Sequence, residues 1–218
     1  NDFGTTTISH SSFYYNESSF GGALYTLEGL IDVTNSTIYG NTATVSGGGI
    51  LNDSGFVSLI HVTLVNNSDT NGGGNYSTNS DMALTANIIA VGECQSYSGT
   101  TTDGGNNIQF NAAGCVGTNT DPMLGAFTNG VIVPANGSPA IDAIAVCLLP
   151  DDQLGTARPQ GAGCDIGAIE GGGGFVVPIP TGPQVIGCVF DTPSGMSLSN
   201  LPDNTYCTVL MKNGAVIN

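Results

Sequence analysis

The first third of this 218-residue chain repeats at a nearly constant period. An apolar anchor residue recurs at spacings of 25, 26 and 24 positions, at Phe13, Ile38, Leu64 and Ile88. A Gly-Gly step recurs with it, at Gly22, Gly48 and Gly73. Self-similarity at this period is the signature of a solenoid, in which each repeat buries its apolar face only by stacking on its neighbours. The repeat therefore predicts stacked coils and not a globule.

Composition decides which kind of solenoid the repeat forms. Glycine accounts for 33 of the 218 residues and charged residues for only 9%. Helical and leucine-rich repeats need far more Leu, Ala, Glu and Lys. Residues 36–39 and 62–65 are instead rich in β-branched and aromatic side chains, and clusters of Gly or Asn interrupt such runs. The sequence predicts an all-β fold, a right-handed parallel β-helix.

Aligning the coils places equivalent residues in columns. Asn16, Asn41 and Asn67 each lie three positions after an anchor. Because a stacked asparagine can hydrogen-bond the amide of the next coil, these three are predicted to form a structural ladder.

Two further columns precede the anchors. One column, one position before each anchor, contains Ser12, Thr37, Thr63 and Asn87. The other, three positions before, contains His10, Asn35, His61 and Thr85. The two histidines would stand two coils apart, roughly 9 to 10 Å, which is too far to share a metal ion. We interpret this column as polar residues on an outer strand face.

Charge limits the possible partners. The chain has seventeen acidic residues and only two basic ones, Arg158 and Lys212, which gives a net charge of −15. Such a surface repels nucleic acid and anionic membranes, and no apolar run in the sequence is long enough to span a bilayer. Calcium held by scattered carboxylates stays open, but no calcium-loop motif is present, so no cofactor or metal is predicted.

All six cysteines lie in the second half of the chain. Six cysteines allow fifteen connectivities, and sequential pairing is the simplest for short local loops. The predicted pairs are Cys94 with Cys115, Cys147 with Cys164, and Cys188 with Cys207. A disulfide framework indicates an oxidising compartment, so we expect a secreted protein at a cell surface or outside the cell.

Processing and modification follow from the same setting. Strand sequence begins at residue 5 with no signal peptide before it, which suggests a processed part of a longer precursor. Glycosylation sequons fit a secreted protein, although chance matches are expected in a chain this rich in Asn, Ser and Thr. They occur at Asn16, Asn35, Asn52, Asn66, Asn75 and Asn136.

The regular period ends near Val91, and this divides the chain into four parts. Residues 1–91 are predicted to form regular coils, and residues 92–170 irregular final coils with a disulfide-closed cap. Residues 171–183 read as a Gly/Pro linker, and residues 184–218 as a small β-rich module with one disulfide. Thirty-five residues bury little core, so this module needs another surface to pack against.

The cap region carries recognisable motifs. They are Ser-Pro-Ala-Ile-Asp-Ala at 138–143, Asp-Gln-Leu-Gly at 152–155 and Arg-Pro-Gln-Gly-Ala-Gly-Cys-Asp-Ile-Gly-Ala-Ile-Glu at 158–170. In these motifs the chain resembles secreted bacterial β-helix proteins of the choice-of-anchor Q class, over roughly residues 5–170. That class commonly has Arg where Leu154 stands here. The resemblance implies a right-handed β-helix exported to the cell surface or matrix, and no catalytic residue that could be transferred to this chain.

One cluster of charged residues in the cap invites a catalytic interpretation: Arg158 with Asp142, Asp152, Asp165 and Glu170. A buried ion-pair network that locks the cap would have the same composition, and we favour that structural interpretation. The predicted coils contain no Arg or Lys to act as a base.

Two functions are compatible with these features. We expect a non-enzymatic extracellular structural protein, a scaffold, adhesin or filament subunit, that assembles head-to-tail through its coil ends and its C-terminal module. The alternative is a carbohydrate-binding or carbohydrate-active β-helix, a lyase or hydrolase. Its sugar-stacking faces would come from the tyrosines, Tyr14, Tyr15, Tyr25, Tyr39 and Tyr76.

Overall fold

The computed structural model describes residues 4–171, and this part of the chain contains fifteen β-strands and no helix. Three full coils come first. They contain β1 (Thr5–Ser9), β2 (Ser12–Tyr14), β3 (Glu17–Phe20), β4 (Leu24–Thr26), β5 (Leu30–Tyr39), β6 (Thr42–Ser46), β7 (Ile50–Asn52), β8 (Phe56–Val65) and β9 (Tyr76–Thr78). Shorter strands follow: β10 (Met82–Thr85), β11 (Ile88–Ala90), β12 (Cys94–Ser96), β13 (Thr101–Asp103), β14 (Ile108–Phe110) and β15 (Thr118–Asn119).

The strands form three sheets that run along the axis of the solenoid. The largest follows the order β1-β5-β8-β11-β14-β15, with β2, β10 and β13 attached to it. The second has the order β12-β9-β7-β4, and the third consists of β3 and β6. Every pairing between these strands is parallel and joins one coil to the next. The predicted parallel β-helix is confirmed.

The predicted alignment is correct for three coils and wrong by one position in the fourth. Phe13 pairs with Ile38 and Ile38 with Leu64, but the partner of Leu64 is Ile89. Ile88 pairs instead with Thr63. The constant period itself holds here, because Leu64 and Ile89 are 25 positions apart, whereas the sequence alignment chose the neighbouring Ile88 at a spacing of 24.

The core lies inside the coils, beneath inward-facing columns. Leu59 and Leu84 stack under Val33 in one column, and Tyr76 lies between Ile50 and Cys94 in another. All of these residues are buried. Packing of such columns, at about 25 cal/mol for each Å² of apolar surface removed from water, is the main stabilising contribution in a fold without helices.

The far end of this core is closed by a loop. Cys94 forms a disulfide with Cys115, and Cys115 and Val116 pack against the core cluster. Tyr76 is buried beneath this end of the stack. The disulfide therefore holds a lid over the last coils.

The stack also continues past the predicted boundary at Val91. Strands β12 and β14 pair with β9 and β11, and β13 pairs with β10. Residues 120–171 have no long strands. The linker from residue 172 onward, the module at 184–218 and the predicted Cys188–Cys207 pair lie outside the described residues.

Candidate functional site

The C-terminal part of the described chain lies along the side of the coils. We call residues 121–171 the flank segment. It covers one row of outward-facing side chains, one from each of four successive coils: Ser12, Thr37, Thr63 and Ile88. Only the first of these keeps appreciable exposure. The expected cap over the end of the helix is thus a cover along its flank.

Polar contacts fix the flank segment to this row. Thr37 Oγ1 donates to Gln153 Oε1 at 2.6 Å, and Gln153 Nε2 donates to Ser12 Oγ at 2.7 Å. The amide of Ala168 donates to Thr63 Oγ1 at 3.0 Å. These bonds join residues more than 100 positions apart in the sequence.

Gly167 is a point of close approach between the flank segment and the coils. Its φ is +93°, and a Cβ there would lie 2.7 Å from Ile88 Cδ1 and 2.9 Å from Thr63 Oγ1. Any side chain at this position would therefore push the flank segment off the coils.

Arg158 is the centre of the flank segment. Its Nη1 lies 2.6 Å from Glu170 Oε2, with both side chains almost fully buried. The remaining guanidinium donors bond the carbonyl oxygens of Asp151 (2.9 Å), Asp165 (3.0 Å) and Gly167 (2.9 Å). The planar guanidinium thus ties together three loops of one segment.

The other carboxylates grouped with Arg158 in the sequence bond backbone amides. Asp152 accepts from the amides of residues 154, 156 and 170, and Asp165 from those of residues 142 and 171. Asp142 is exposed and accepts from the amide of residue 163. The predicted ion-pair network therefore contains one direct ion pair, Arg158–Glu170, because the tight loops leave amides that only nearby carboxylates can satisfy.

Burial perturbs the titration of three groups in this cluster. Desolvation raises the pKa of Asp165 to about 6, although two backbone amides oppose the shift. Desolvation and then the charge of Arg158 lower the pKa of His61 to about 4. Desolvation also lowers the pKa of Arg158, and the nearby Glu170 charge opposes this. His61 is thus a neutral group at physiological pH.

The histidine column differs from the sequence interpretation. Its members are His10, Asn35, His61 and Ala86, each with positive φ, so the column is a left-handed bend. Ala86 replaces Thr85 because of the register shift, since Thr85 pairs with Ile60. The expected outer strand face is wrong for Asn35 and His61, which are buried.

The flank segment covers this bend as well. His10 Nε2 lies 3.2 Å from Asp151 Oδ1, and Asn35 Nδ2 donates to the Asp151 carbonyl oxygen at 3.0 Å. His61 Nδ1 lies 3.3 Å from the carbonyl oxygen of Gly167, so that nitrogen is the donor. The column therefore attaches the flank segment to the coils.

The asparagine column forms a ladder. Asn16 Nδ2 donates to Asn41 Oδ1 at 2.8 Å, and Asn41 Nδ2 donates to Asn67 Oδ1 at 2.9 Å. The same oxygens accept the backbone amides of Asn16 and Asn41. Asn75 extends the ladder, because its Oδ1 accepts from Asn67 Nδ2.

A second asparagine ladder, at Asn87 and Asn107, was not predicted from the sequence. The amide of Val62 donates to Asn87 Oδ1, and both nitrogens of Asn87 donate to Asn107 Oδ1. Asn87 had been assigned to the row of Thr63. The signal was the pair of asparagines twenty positions apart, a spacing that falls outside the period of the first coils.

Three of the six sequons are buried, which contradicts their expected position on the surface. Asn35, Asn52 and Asn75 are themselves buried, and their side-chain nitrogens all donate hydrogen bonds within the fold. Asn16 is half-buried in the ladder. The remaining two are exposed: Asn66 and Asn136.

The tyrosines also divide by environment. Tyr76 is fully buried and offers no sugar-stacking face, which corrects the sequence expectation. Tyr15 is 51% exposed, and its ring lies edge-on to Tyr14 (5.8 Å) and Tyr39 (5.5 Å). Phe127 of the flank segment stacks on Tyr39 at 4.2 Å. We call these four residues the aromatic corner. Tyr25 lies apart from it, with its ring 6.4 Å from that of Phe20.

Two of the predicted disulfides lie in the described residues. Cys94 pairs with Cys115 and Cys147 with Cys164, which is the sequential order.

Residues 4–171 contain no cluster of three or more His, Cys, Asp or Glu side chains that could hold a metal ion. Asp69 shows how a carboxylate of the coils is used instead: its oxygens accept hydrogen bonds from the amides of residues 47, 71 and 73.

The fold and its flank define a disulfide-containing parallel β-solenoid covered along one side by its own C-terminal segment. No family model matches the chain, and neither the curated proteins nor the solved structures contain a significant match. Within the described residues, no helix is long and apolar enough to cross a membrane.

Proposed function

We propose that this chain is a non-enzymatic structural protein that works outside the cytoplasm, at a cell surface or in an extracellular matrix. One observation carries the proposal: the polar groups that could form a reactive centre are buried in the flank segment and bonded to its backbone. Arg158 makes three bonds to carbonyl oxygens besides its ion pair. A cation used in catalysis has to reach a substrate.

The carboxylates support the same conclusion. Asp152, Asp165 and Glu170 are each at most 1% exposed, and each accepts at least two backbone amides. A glycosidase needs two carboxyl groups that flank a bound sugar with room for it between them. Groups whose lone pairs are occupied by amides hold loops together, which is a structural role.

The two disulfides support the location. Disulfides persist in oxidising compartments and are rare in the cytosol. The similarity of residues 138–170 to the choice-of-anchor Q motifs points the same way, and membership of that class is part of the proposal.

Incubation with a panel of neutral and acidic polysaccharides tests the absence of enzymatic activity. We expect no new reducing ends and no unsaturated products. Release of either by the purified chain, lost in Arg158→Met but kept in a surface variant such as Val146→Ser, would overturn the proposal.

Self-assembly through coil ends is the second part of the proposal. Among residues 4–171, strands of the first coil pair on one side only, with β5, β6 and β7, so their outer edge can receive another strand from another part of the polypeptide or from a second copy. At the far end, β13 and β15 likewise pair on one side only among residues 4–171. Electron microscopy and light scattering of the native full-length protein test this, and a strictly monomeric species at all concentrations would contradict it.

Carbohydrate binding is the second candidate, and the aromatic corner favours it. Tyr15 has a φ of +55°, a conformation that aromatic residues rarely adopt, and half of it is exposed. The lack of a side chain at Gly40 leaves room for the Tyr15 ring, since a Cβ at position 40 would lie 2.9 Å from the ring. Exposed rigid rings of this kind can stack on the apolar face of a sugar.

The charge of the chain disfavours acidic sugars, so the ligand that we propose is a neutral sugar. The one arginine is buried, and the net charge is −15. Glycan-array binding with the wild type, Tyr15→Ser and the distant control Tyr97→Ser tests the idea. Binding of neutral glycans that only the first substitution removes would support it, whereas equal signals from all three chains would exclude the aromatic corner.

A further inference from the structure

One contact between the coils and the flank segment brings a nucleophile against an acyl group. Thr37 Oγ1, on β5, lies 2.6 Å from Oε1 of the Gln153 side-chain amide. Thr37 is fully buried and Gln153 is 7% exposed. The two residues are 116 positions apart, so the fold alone creates this contact.

The nitrogen of the same amide is held in place by three acceptors. Gln153 Nε2 donates to Ser12 Oγ (2.7 Å), to the carbonyl oxygen of Ser11 (3.1 Å) and, at 3.4 Å, to that of Gly130. Ser12 in turn donates its hydroxyl to the Gly130 carbonyl oxygen at 2.7 Å. Ser12 and Thr37 are direct partners on neighbouring strands, with their side chains in the same outward row.

This arrangement provides proximity and burial, two conditions that favour acyl transfer within a folded chain. Holding a nucleophile against its target can be equivalent to a concentration of about 10⁵–10⁸ M. Burial excludes the water that would compete as a nucleophile or hydrolyse the product. A hydroxyl beside the departing nitrogen can carry a proton to it.

We propose that Thr37 and Gln153 form an intramolecular ester bond. Thr37 Oγ attacks the side-chain carbonyl carbon of Gln153, the C–N bond of the amide breaks, and the nitrogen leaves as ammonia. The proton lost by the Thr37 hydroxyl ends on the departing nitrogen, whose hydrogen-bond partner is the Ser12 hydroxyl. Nothing is oxidised or reduced. The reaction is independent of the proposed structural function and of carbohydrate binding.

The bond would have a mechanical consequence. It would fasten the flank segment to the second coil by a covalent link that reducing agents do not break, unlike the disulfides Cys94–Cys115 and Cys147–Cys164. Cross-linking residues far apart in sequence stabilises a fold by restricting its unfolded state.

The intact mass of the full-length chain tests the proposal. After reduction and denaturation, we expect a species lighter than the sequence mass by one ammonia. Tandem mass spectrometry after proteolysis should find a peptide with Thr37 joined to a peptide with Gln153. A wild-type mass equal to that of the unmodified sequence, with both peptides found unlinked, would overturn the proposal and leave a hydrogen bond only.

Two variants locate the reaction. Thr37→Val removes the nucleophile at nearly constant shape, so this chain should keep its ammonia. Thr63→Val is the matched control: Thr63 is equally buried one coil further on, and its hydroxyl contacts the amide of Ala168 instead of an acyl side chain. It should lose ammonia as the wild type does. Loss of ammonia from Thr37→Val would assign the mass change to another site and refute the ester.

Discussion

Arg158 Nη1 and Glu170 Oε2 lie 2.6 Å apart with 0% and 1% of their side chains exposed. Both residues belong to the flank segment. The guanidinium also bonds the carbonyl oxygens of Asp151 and Asp165, and the amide of Gln160 donates to Glu170 Oε1. The pair therefore shapes the segment that covers the coils.

Removing one partner of this pair should destabilise the fold strongly. Arg158→Met leaves the Glu170 carboxylate buried without its cation, and we expect a loss of about 3–5 kcal/mol. The double variant Arg158→Met/Glu170→Leu should lose less than the sum of the single variants. Denaturant unfolding measures all three. His10→Ala, which breaks an exposed pair, is the control and should cost less than about 1 kcal/mol. Additive losses would show that the two charges do not interact.

Asp165 and His61 should give the stability opposite dependences on pH. The pKa of Asp165 is about 6 in the fold against 3.8 for an ordinary aspartate. Between these values the folded chain is protonated and the unfolded chain ionised, so this group stabilises the fold as the pH falls. The pKa of His61 is about 4 against 6.5, so its contribution is lost as the pH falls over nearly the same window.

Variants separate the two dependences. Relative to the wild type, Asp165→Asn should lose stability more steeply between pH 6 and 4 (roughly the overlap of the two windows), and His61→Gln less steeply. Each difference is at most about 1.4 kcal/mol per pH unit, the limit for one proton. Unfolding curves at a series of pH values measure the slopes. Parallel curves for all three chains would contradict the assignment.

The middle rung of the asparagine ladder should matter more than its end. Asn41→Ala removes acceptors for Asn16 and donors to Asn67 and the Phe13 carbonyl oxygen, all in a buried site. We expect a loss of about 2–3 kcal/mol from the unsatisfied groups. Asn16→Ala, at the half-buried first rung, should lose clearly less. Denaturant unfolding measures both, and equal losses would argue against a cooperative ladder.

Opening the Cys94–Cys115 disulfide should uncover the end of the core. Replacing both cysteines by alanine removes a link across 21 positions, and we expect a cost of about 3 kcal/mol. Hydrogen exchange should accelerate in residues 108–116, above buried Tyr76. The double variant at Cys147 and Cys164 is the comparison, because it should affect the flank segment and leave exchange in the lid unchanged.

Glycosylation, in a host that performs it, should be confined to two of the sequons. Asn66 and Asn136 are exposed, whereas Asn35, Asn52 and Asn75 are buried and use their nitrogens in hydrogen bonds. Asn66→Gln and Asn136→Gln together should abolish the mass shift on deglycosylation. A glycan at a buried position would mean that modification precedes folding.

The stacking of coils could be predicted because it depends on local periodicity. Residues 25 or 26 positions apart meet whenever every coil has the same length, so Phe13, Ile38 and Leu64 were aligned correctly. The alignment failed at Ile88 because two isoleucines stand side by side, and Ile89, 25 positions after Leu64, takes the anchor position. Apolar periodicity does not distinguish between adjacent residues of the same type.

The charged cluster was predicted as a set of residues but not as an arrangement. Composition and sequence proximity grouped Arg158 with four carboxylates, and Glu170 is its direct partner. The bonds of Asp152 and Asp165 to backbone amides depend on loop geometry, which residue types alone do not specify.

The sequence by itself determined a parallel β-helix, its asparagine ladder and the pairing of four cysteines, because each of these depends on spacing along the chain. Only the tertiary structure decided that the C-terminal segment lies along the flank. That docking rests on contacts such as Thr37 with Gln153 and His61 with Gly167, between residues more than 100 positions apart. No local pattern encodes them, since they arise only when a completed stack presents its outer row to the returning chain.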